Sequence, residues 1–511
     1  MVSMQGTSDS NPQLLDAMAM CGHLVARDSV YWFLAEHRRR VFPDDMFGDL
    51  FGSGRGRPSV PADVVATVMV LQALEGLSDR DAVAQLRNSI SWKVAAGRSL
   101  TDEGFHPTVL TLWRNKLRVS DRPQRIFDAV RKVIDATDIL AGKTRRALDS
   151  TVLDDAVTRQ DAIMQLVAQI RRVRRLIPAA KALTLVAHDY DHDPGKPVCA
   201  WGDPADIDRV VTELVNDAHS VLAALDPADL DDAQTEAAGL LALVAGQDVE
   251  PGNSDGTWRI APVTRPDRMV SVHDPESRHT HKTTSNYRDG FKAHVGVEPD
   301  TGLITACELT AGHVGDAQAA PGLLTSEPKP VEVLADSAYG SGEFRAHLAQ
   351  QGHTTTIKPI PLHSAIPGGF TTDDFVIDLA AMTATCPNGV TVTISTRSRQ
   401  ARFTRRCQDC PVRERCTRSP HGRILSVHQH HALLAAARAH ALTPMFIEPY
   451  RRHRPMVERS IAWLIRRGGR KVRYRGIARN RIGLAHRCAA INLRRLINLG
   501  VNWDNGWTLT T

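Results

Sequence analysis

Through the first 140 residues, apolar positions return every three or four places, the spacing that gathers them on one face of a helix. Val60 to Leu74 is such a run, with Pro61 opening it at a helix start. Ser78-Asp79-Arg80-Asp81 has the form of a capping box ahead of a second helix over Asp81 to Leu86. Pro107 opens a third segment, with Leu110, Trp113 and Leu117 on one face and Arg114 and Lys116 off it. Short helices, tight turns and basic flanks that include Arg55, Arg57 and Lys93 suit a helix-turn-helix-like DNA-binding module. A plain helical packing domain would show the same pattern.

Beyond residue 140 the period changes. Ala147 to Leu153 reads as a strand, directly after Lys143, Arg145 and Arg146. Helical spacing then resumes over 158–265, with Ile163, Leu166, Ile170, Val173 and Ile177 in one stripe. Asp203-Pro204 predicts a capped start for a helix that turns Ile207, Val210, Leu214, Val221 and Leu225 inward, and Asp226-Pro227 begins another. From 266 to 365 the chain turns to strands: Phe291–Val297 and Leu303–Leu309 flank the turn Pro299-Asp300-Thr301-Gly302 as a hairpin. Val331 to Ala335 is a short buried strand ending at Asp336, followed by a helix over Gly340–Gln351 and a strand over Thr354–Ile360. A cysteine-bearing insert occupies 366–425, and 426–511 carries helices around His430–Ala441, Met456–Arg467 and Ile482–Leu499.

This succession predicts an α/β protein: an RNase H-like mixed sheet flanked by helices, assembled from 141–157, 266–365 and 426–511. An all-helical N-terminal domain over 1–140, the helical insertion and the small cysteine-rich insert complete it.

Composition adds bounds. With 511 residues, 23% charged and 42% hydrophobic, the chain has the make-up of a multidomain globular protein. It has no apolar run of about 18 residues that would suggest a membrane span, and its N-terminus does not read as a secretory signal. An intracellular, reducing location is therefore expected. The net charge of +6 matters less than its distribution. From Arg397 to Arg495 there are 25 Lys and Arg against four Asp and Glu, a polarity suited to a phosphate backbone, although such a run is also an ordinary solvated face. From Asp203 to Glu250 there are 12 acids and a single base, Arg209.

Three acids on separate elements carry the candidate chemistry. Asp149 lies inside an apolar strand, where an unpaired carboxylate is costly. Asp336 closes a strand ahead of Ser337-Ala338-Tyr339-Gly340, and Glu458 lies on a helix among Arg451, Arg452, Arg454 and Arg459. Alone, each fits a cap or surface ion pair. Together, in this order on such a core, they suit two hard Mg²⁺ (or Mn²⁺) ions that would activate and stabilise oxygens in phosphoryl transfer. Asp154 and Asp155 compete with Asp149 as first ligand. A second set, Cys386, Cys407, Cys410 and Cys416, offers four thiolates for one structural Zn²⁺; unligated thiols are the alternative. The other cysteines, Cys21, Cys199, Cys307 and Cys488, are scattered and expected to be buried. His273, Asp274, Glu276, Arg278, His279 and His281 read as a polar loop near the cleft, with Arg278 and Lys282 toward DNA and no metal ligand among them. Trp463 is spaced as a core residue.

The segments LDST, HDPESR, DGFKAHVGVEPDTGLITACELTAGHVGD, LADSAYGSGEF and YRRHRPMVERSIAWLIRRGGRKVRYRG resemble the blocks of DDE transposases of bacterial insertion sequences. GRGRPSVPADVV, LSDRDAV and ISWKVA resemble that family's N-terminal domain. The resemblance implies Mg²⁺-dependent strand cleavage and strand transfer at terminal inverted repeats, with target DNA as second substrate and a homodimer on DNA, in the cytoplasm at the nucleoid. It assigns Asp149, Asp336 and Glu458 as catalytic metal ligands and Arg454 as a DNA contact. In the family's tyrosine–arginine–glutamate–lysine signature, Tyr450 falls one position off the tyrosine spacing. Ile465 stands where lysine belongs, beside Arg466 and Arg467, which could supply the basic role. A DNA-binding descendant without chemistry, and a host nuclease on the same core, are the alternatives.

Overall fold

The computed structural model describes residues 5–9, 14–52, 58–265, 267–283 and 286–509, with the side chains of 281–283 and 286 left aside. Arg55, Arg57 and the side chains of His281 and Lys282 lie outside the described residues.

A six-stranded mixed sheet forms the centre: β1 (Arg145–Asp154), β2 (Arg278–Thr283), β3 (Asn286–Glu298), β4 (Leu303–Ala311), β5 (Glu332–Ala335) and β6 (Thr354–Ile357). The order is β2-β3-β1-β5-β6, with β4 also paired to β3. β1 runs antiparallel to β3, with Asp149 opposite Val295, and parallel to β5, with Ala147 opposite Leu334. The β3–β4 hairpin forms where the sequence predicts it. Buried Glu298 accepts the backbone N–H groups of Asp300 (3.0 Å) and Thr301 (2.8 Å), and Gly302 supplies the positive φ that ends the turn. Alternation along the strands sends Ala147 and Leu334 to one face, and Leu148, Val333 and Ala335 to the other.

The second face is covered by α7 (Asp316–Leu324) and α8 (Gly342–Gln350). On the first face lies α10 (Ile477–Asn498), whose Asn492 side chain exchanges two 2.8 Å hydrogen bonds with the backbone of Ile304 on β4. Behind it pack the N-terminal helices, among them α1 (Ala62–Glu75), α2 (Thr108–Val119) and α3 (Arg125–Ala136). α1 is buried almost all round, because α10 lies along it and other helices enclose it. One apolar core therefore runs from the N-terminal helices through α10 to the sheet.

Leu110, Trp113 and Leu117 are buried as expected. Arg114 is not off the face: it is buried, ion-paired with Asp79 and stacked 4.9 Å from the Tyr474 ring. Lys93 is likewise buried, donating to the carbonyls of Ser99 and Asp102. Neither cation is an open basic flank.

The insertion after β1 has its own core, formed by α4 (Ala162–Leu176), α5 (Pro204–Ala223) and α6 (Asp232–Gln247). Each starts at an aspartate whose carboxylate accepts a backbone N–H: Asp161, Asp203 and Asp231. The cysteine insert folds into two small antiparallel sheets around Phe375, Phe403 and Leu425. The helix that bears Glu458, α9 (Pro444–Ile465), begins 12 residues earlier than the expected start at Met456. Pro449 and Pro455 argue against a helix there. Burial of Phe446, His453 and Val457 against the rest of the protein outweighs their propensity. Among the described residues no helix is long and apolar enough to cross a membrane.

Candidate active site

β1, the end of β5 and α9 bring Asp149, Asp336 and Arg454 to one place. The guanidinium of Arg454, 5% exposed, places Nη2 3.2 Å from Asp149 Oδ1 and 3.7 Å from Asp336 Oδ2, while Nη1 donates to the Leu148 carbonyl at 3.2 Å. Asp149 is held from its own strand as well, accepting the Ser150 N–H at 2.8 Å. Burial raises its carboxyl above the usual range; Arg454 opposes that rise, and the neighbouring Asp336 charge adds to it. Asp336 caps the turn after β5 by accepting the Ala338 N–H at 3.0 Å, which leaves its side chain 42% exposed at the cleft.

Glu458 lies one turn beyond Arg454 on α9, and Tyr450 one turn before it, so the three share a helix face. Burial pushes the Tyr450 phenol up; Arg454, to which it is hydrogen-bonded, works against this, and the charges of Asp336 and Glu458 reinforce it. Glu458 is exposed and shares that electrostatic environment with Asp336. The arrangement gathers two carboxylates around one buried cation, on the helix that also bears Glu458. Among the described residues, no three His, Cys, Asp or Glu side chains stand at metal-ligand spacing.

The competing acids are engaged elsewhere. Asp154 pairs with Arg288 at 2.7 Å, and buried Asp155 accepts the Ser277 hydroxyl at 2.6 Å. The polar loop before β2 also has a local explanation. Asp274 accepts the Gly476 N–H (3.2 Å) and Glu276 the Ile477 N–H (2.8 Å), so both cap α10. Arg278 folds its guanidinium onto the Pro275 and Ser277 carbonyls. Arg466 caps the end of α9, and Arg467 donates to the Leu74 carbonyl at 3.3 Å. They follow Arg454 by 12 and 13 residues, about 18 Å or more along a helix. Trp463 is half-buried against the core, with the Arg495 guanidinium 5.5 Å over its ring.

Behind the acids lies a polar layer that the sequence reading passed over. Ser150 donates to Asp316 Oδ1 (2.9 Å), Lys292 Nζ lies 3.1 Å from the same oxygen, and fully buried His294 lies 3.8 Å from it. Burial lowers the His294 imidazole to about 4, against the pull of Asp316. The signal available for this layer was Asp316 in GHVGD, which lies in no acid–base pattern.

Cys386, Cys407, Cys410 and Cys416 line one cavity of about 20 Å³ in the insert, and the Arg423 N–H points at Cys407 Sγ from 3.5 Å. They line the same cavity, but among the described residues no three of them stand at metal-ligand spacing. Burial raises the Cys416 thiol. Of the other four cysteines, Cys307 and Cys488 are buried and hydrogen-bonded to each other, whereas Cys21 and Cys199 are only half-buried, contrary to expectation.

Residues 385–497 match the family described as Transposase DDE domain, and residues 25–116 match the Transposase domain (DUF772). Over these two segments the chain is similar to DDE transposases. The first match contains Tyr450, Arg454, Glu458 and the four cysteines, and the second covers α1 and most of α2, which pack behind α10. No curated protein and no solved structure gives a match to the chain. Its mixed sheet and helical N-terminal region are consistent with an RNase H-like transposase.

Proposed function

We propose that this chain is a transposase that cleaves DNA strands at the ends of an insertion sequence and joins the freed 3′-hydroxyl to target DNA, with Asp149, Asp336 and Glu458 as the catalytic acids. The observation that carries this reading is the single guanidinium of Arg454 shared by Asp149 and Asp336, presented from the helix that bears Glu458. Two carboxylates this close repel each other, and positive charge between them relieves the repulsion. The donor set is all oxygen, which fits Mg²⁺ or Mn²⁺. Such ions, when bound, neutralise charge on the reacting phosphodiester and promote ionisation of the attacking hydroxyl. The chain's own part is positional: β1 and β5 fix two acids, α9 brings the third, and Arg454 holds the first two in register.

In this reading Cys386, Cys407, Cys410 and Cys416 hold one structural Zn²⁺. Four thiols around one cavity and an N–H directed at Cys407 Sγ support it. The partner is DNA, terminal inverted repeat and target, engaged by a homodimer.

A nicking assay tests the proposal. A duplex carrying the terminal inverted repeat, incubated with the full chain and Mg²⁺, is expected to release a 3′-hydroxyl at the element boundary, and EDTA to prevent it. Cutting of random duplex at the same rate would instead mark a general nuclease, and binding without nicking an inactive descendant.

A further inference from the structure

Two arginines that follow α9 and three on α10 face a single cavity of about 180 Å³: Arg466, Arg467, Arg487, Arg494 and Arg495, with Trp463 in its wall. The three on α10 are seven and eight residues apart, two helical turns, and so fall on one face. No carboxylate is among the lining residues. Three of these arginines donate to main-chain carbonyls: Arg467 to Leu74 (3.3 Å), Arg487 to Leu464 (2.9 Å) and Arg495 to Thr301 (2.9 Å). Each such contact anchors one edge of a guanidinium and leaves further donors for a ligand. Burial depresses Arg487 and Arg495 below the usual guanidinium range, and Arg473 adds repulsion at Arg487. Five like charges meeting without a counter-charge are unfavourable unless an anion joins them.

We propose that this cavity seats backbone phosphates of the DNA duplex on which the carboxylates act, about five nucleotides from the reacting phosphodiester. The spacing follows from α9: Arg466 lies 12 residues beyond Arg454, about 18 Å at the helical rise, and a DNA strand advances ~3.4 Å per nucleotide. The proposal rests on the active-site reading above. It adds a second anchor that fixes the duplex along α9, built jointly from α9, α10 and the end of α1. Phosphate contacts carry no base information, so this anchor acts on any sequence.

The test is binding, not cleavage. Fluorescence anisotropy of a random-sequence duplex with the full chain, repeated across salt concentrations, gives the slope of log K against log salt. Arg466 and Arg494 are exposed, so R466A/R494A keeps the fold. The slope is expected to shallow by about 0.9 for each lost phosphate contact, about 1.8 for the pair, and R466K/R494K to restore most of it. An unchanged slope in R466A/R494A overturns the proposal. So does unchanged affinity with loss of the dimer in sedimentation, which would assign the cavity to carboxylates of a second copy. Because Asp336→Ala removes no cavity residue, cleavage surviving in that variant would sink the active-site reading alone, and a shallower slope in R466A/R494A would still support the cavity as a phosphate site.

Discussion

Arg454 Nη2 stands 3.2 Å from Asp149 Oδ1, and the same nitrogen is 3.7 Å from Asp336 Oδ2. A residue from the last quarter of the chain thus joins two strands that are parallel neighbours in the sheet. Arg454→Ala removes that bridge and is expected to lower single-turnover cleavage by about 10²-fold or more, the scale of losing one preorganised charge contact. Arg454→Lys should recover only part, because one ammonium cannot reproduce the guanidinium fork. Full activity in either variant would show that the bridge is incidental.

Divalent ions should stabilise the protein before any DNA is present. At a Mg²⁺ concentration about a hundred times Kd, the gain is about 2.7 kcal/mol. Thermal unfolding with and without Mg²⁺ measures it. Asp336→Asn should lose most of the shift; an equal shift in wild type and variant would place the ion elsewhere.

The sheet was legible because its signals are local. The β3–β4 turn, the apolar run before Asp336 and the strand around Asp149 all lie within a few residues of their hydrophobic pattern. The start of α9 was not legible, since Pro449 and Pro455 argue against a helix that tertiary packing sustains. Arg114 and Lys93 looked like exposed cations, because nothing local announces Asp79 or the Ser99 and Asp102 carbonyls that receive them. Tyr450 shows the same limit at the site. Its register with Arg454 and Glu458 is simple helical spacing, but its value depends on Asp336, more than a hundred residues away.

Removal of zinc should loosen the insert and little else. A chromogenic chelator is expected to extract one ion per chain from wild type and none from Cys407→Ser/Cys410→Ser, with new protease cuts confined to 366–425. A zinc-free wild type that resists protease equally well would rule the metal out.

Acid should destabilise the protein partly through His486. This fully buried imidazole is lowered to about 3, by burial first and by Arg114 second. Its folded value lies below the ordinary one near 6.5, so the unfolded chain binds the extra proton between those limits. Stability therefore falls as pH drops below about 6.5, by at most ~1.4 kcal/mol per unit, until pH approaches 3. Denaturant midpoints at pH 7 and pH 4.5 should differ less for His486→Leu than for wild type. Identical pH sensitivity would show that this histidine is not the titrating group.

The most direct measurement of the central claim compares Asp149→Ala, Asp336→Ala and Glu458→Ala in one cleavage assay on the terminal inverted repeat, with duplex affinity measured alongside. Each variant is expected to lose about 10³-fold or more in cleavage while binding DNA as wild type does. Wild-type cleavage by any one of them would remove that acid from the site and contradict the account.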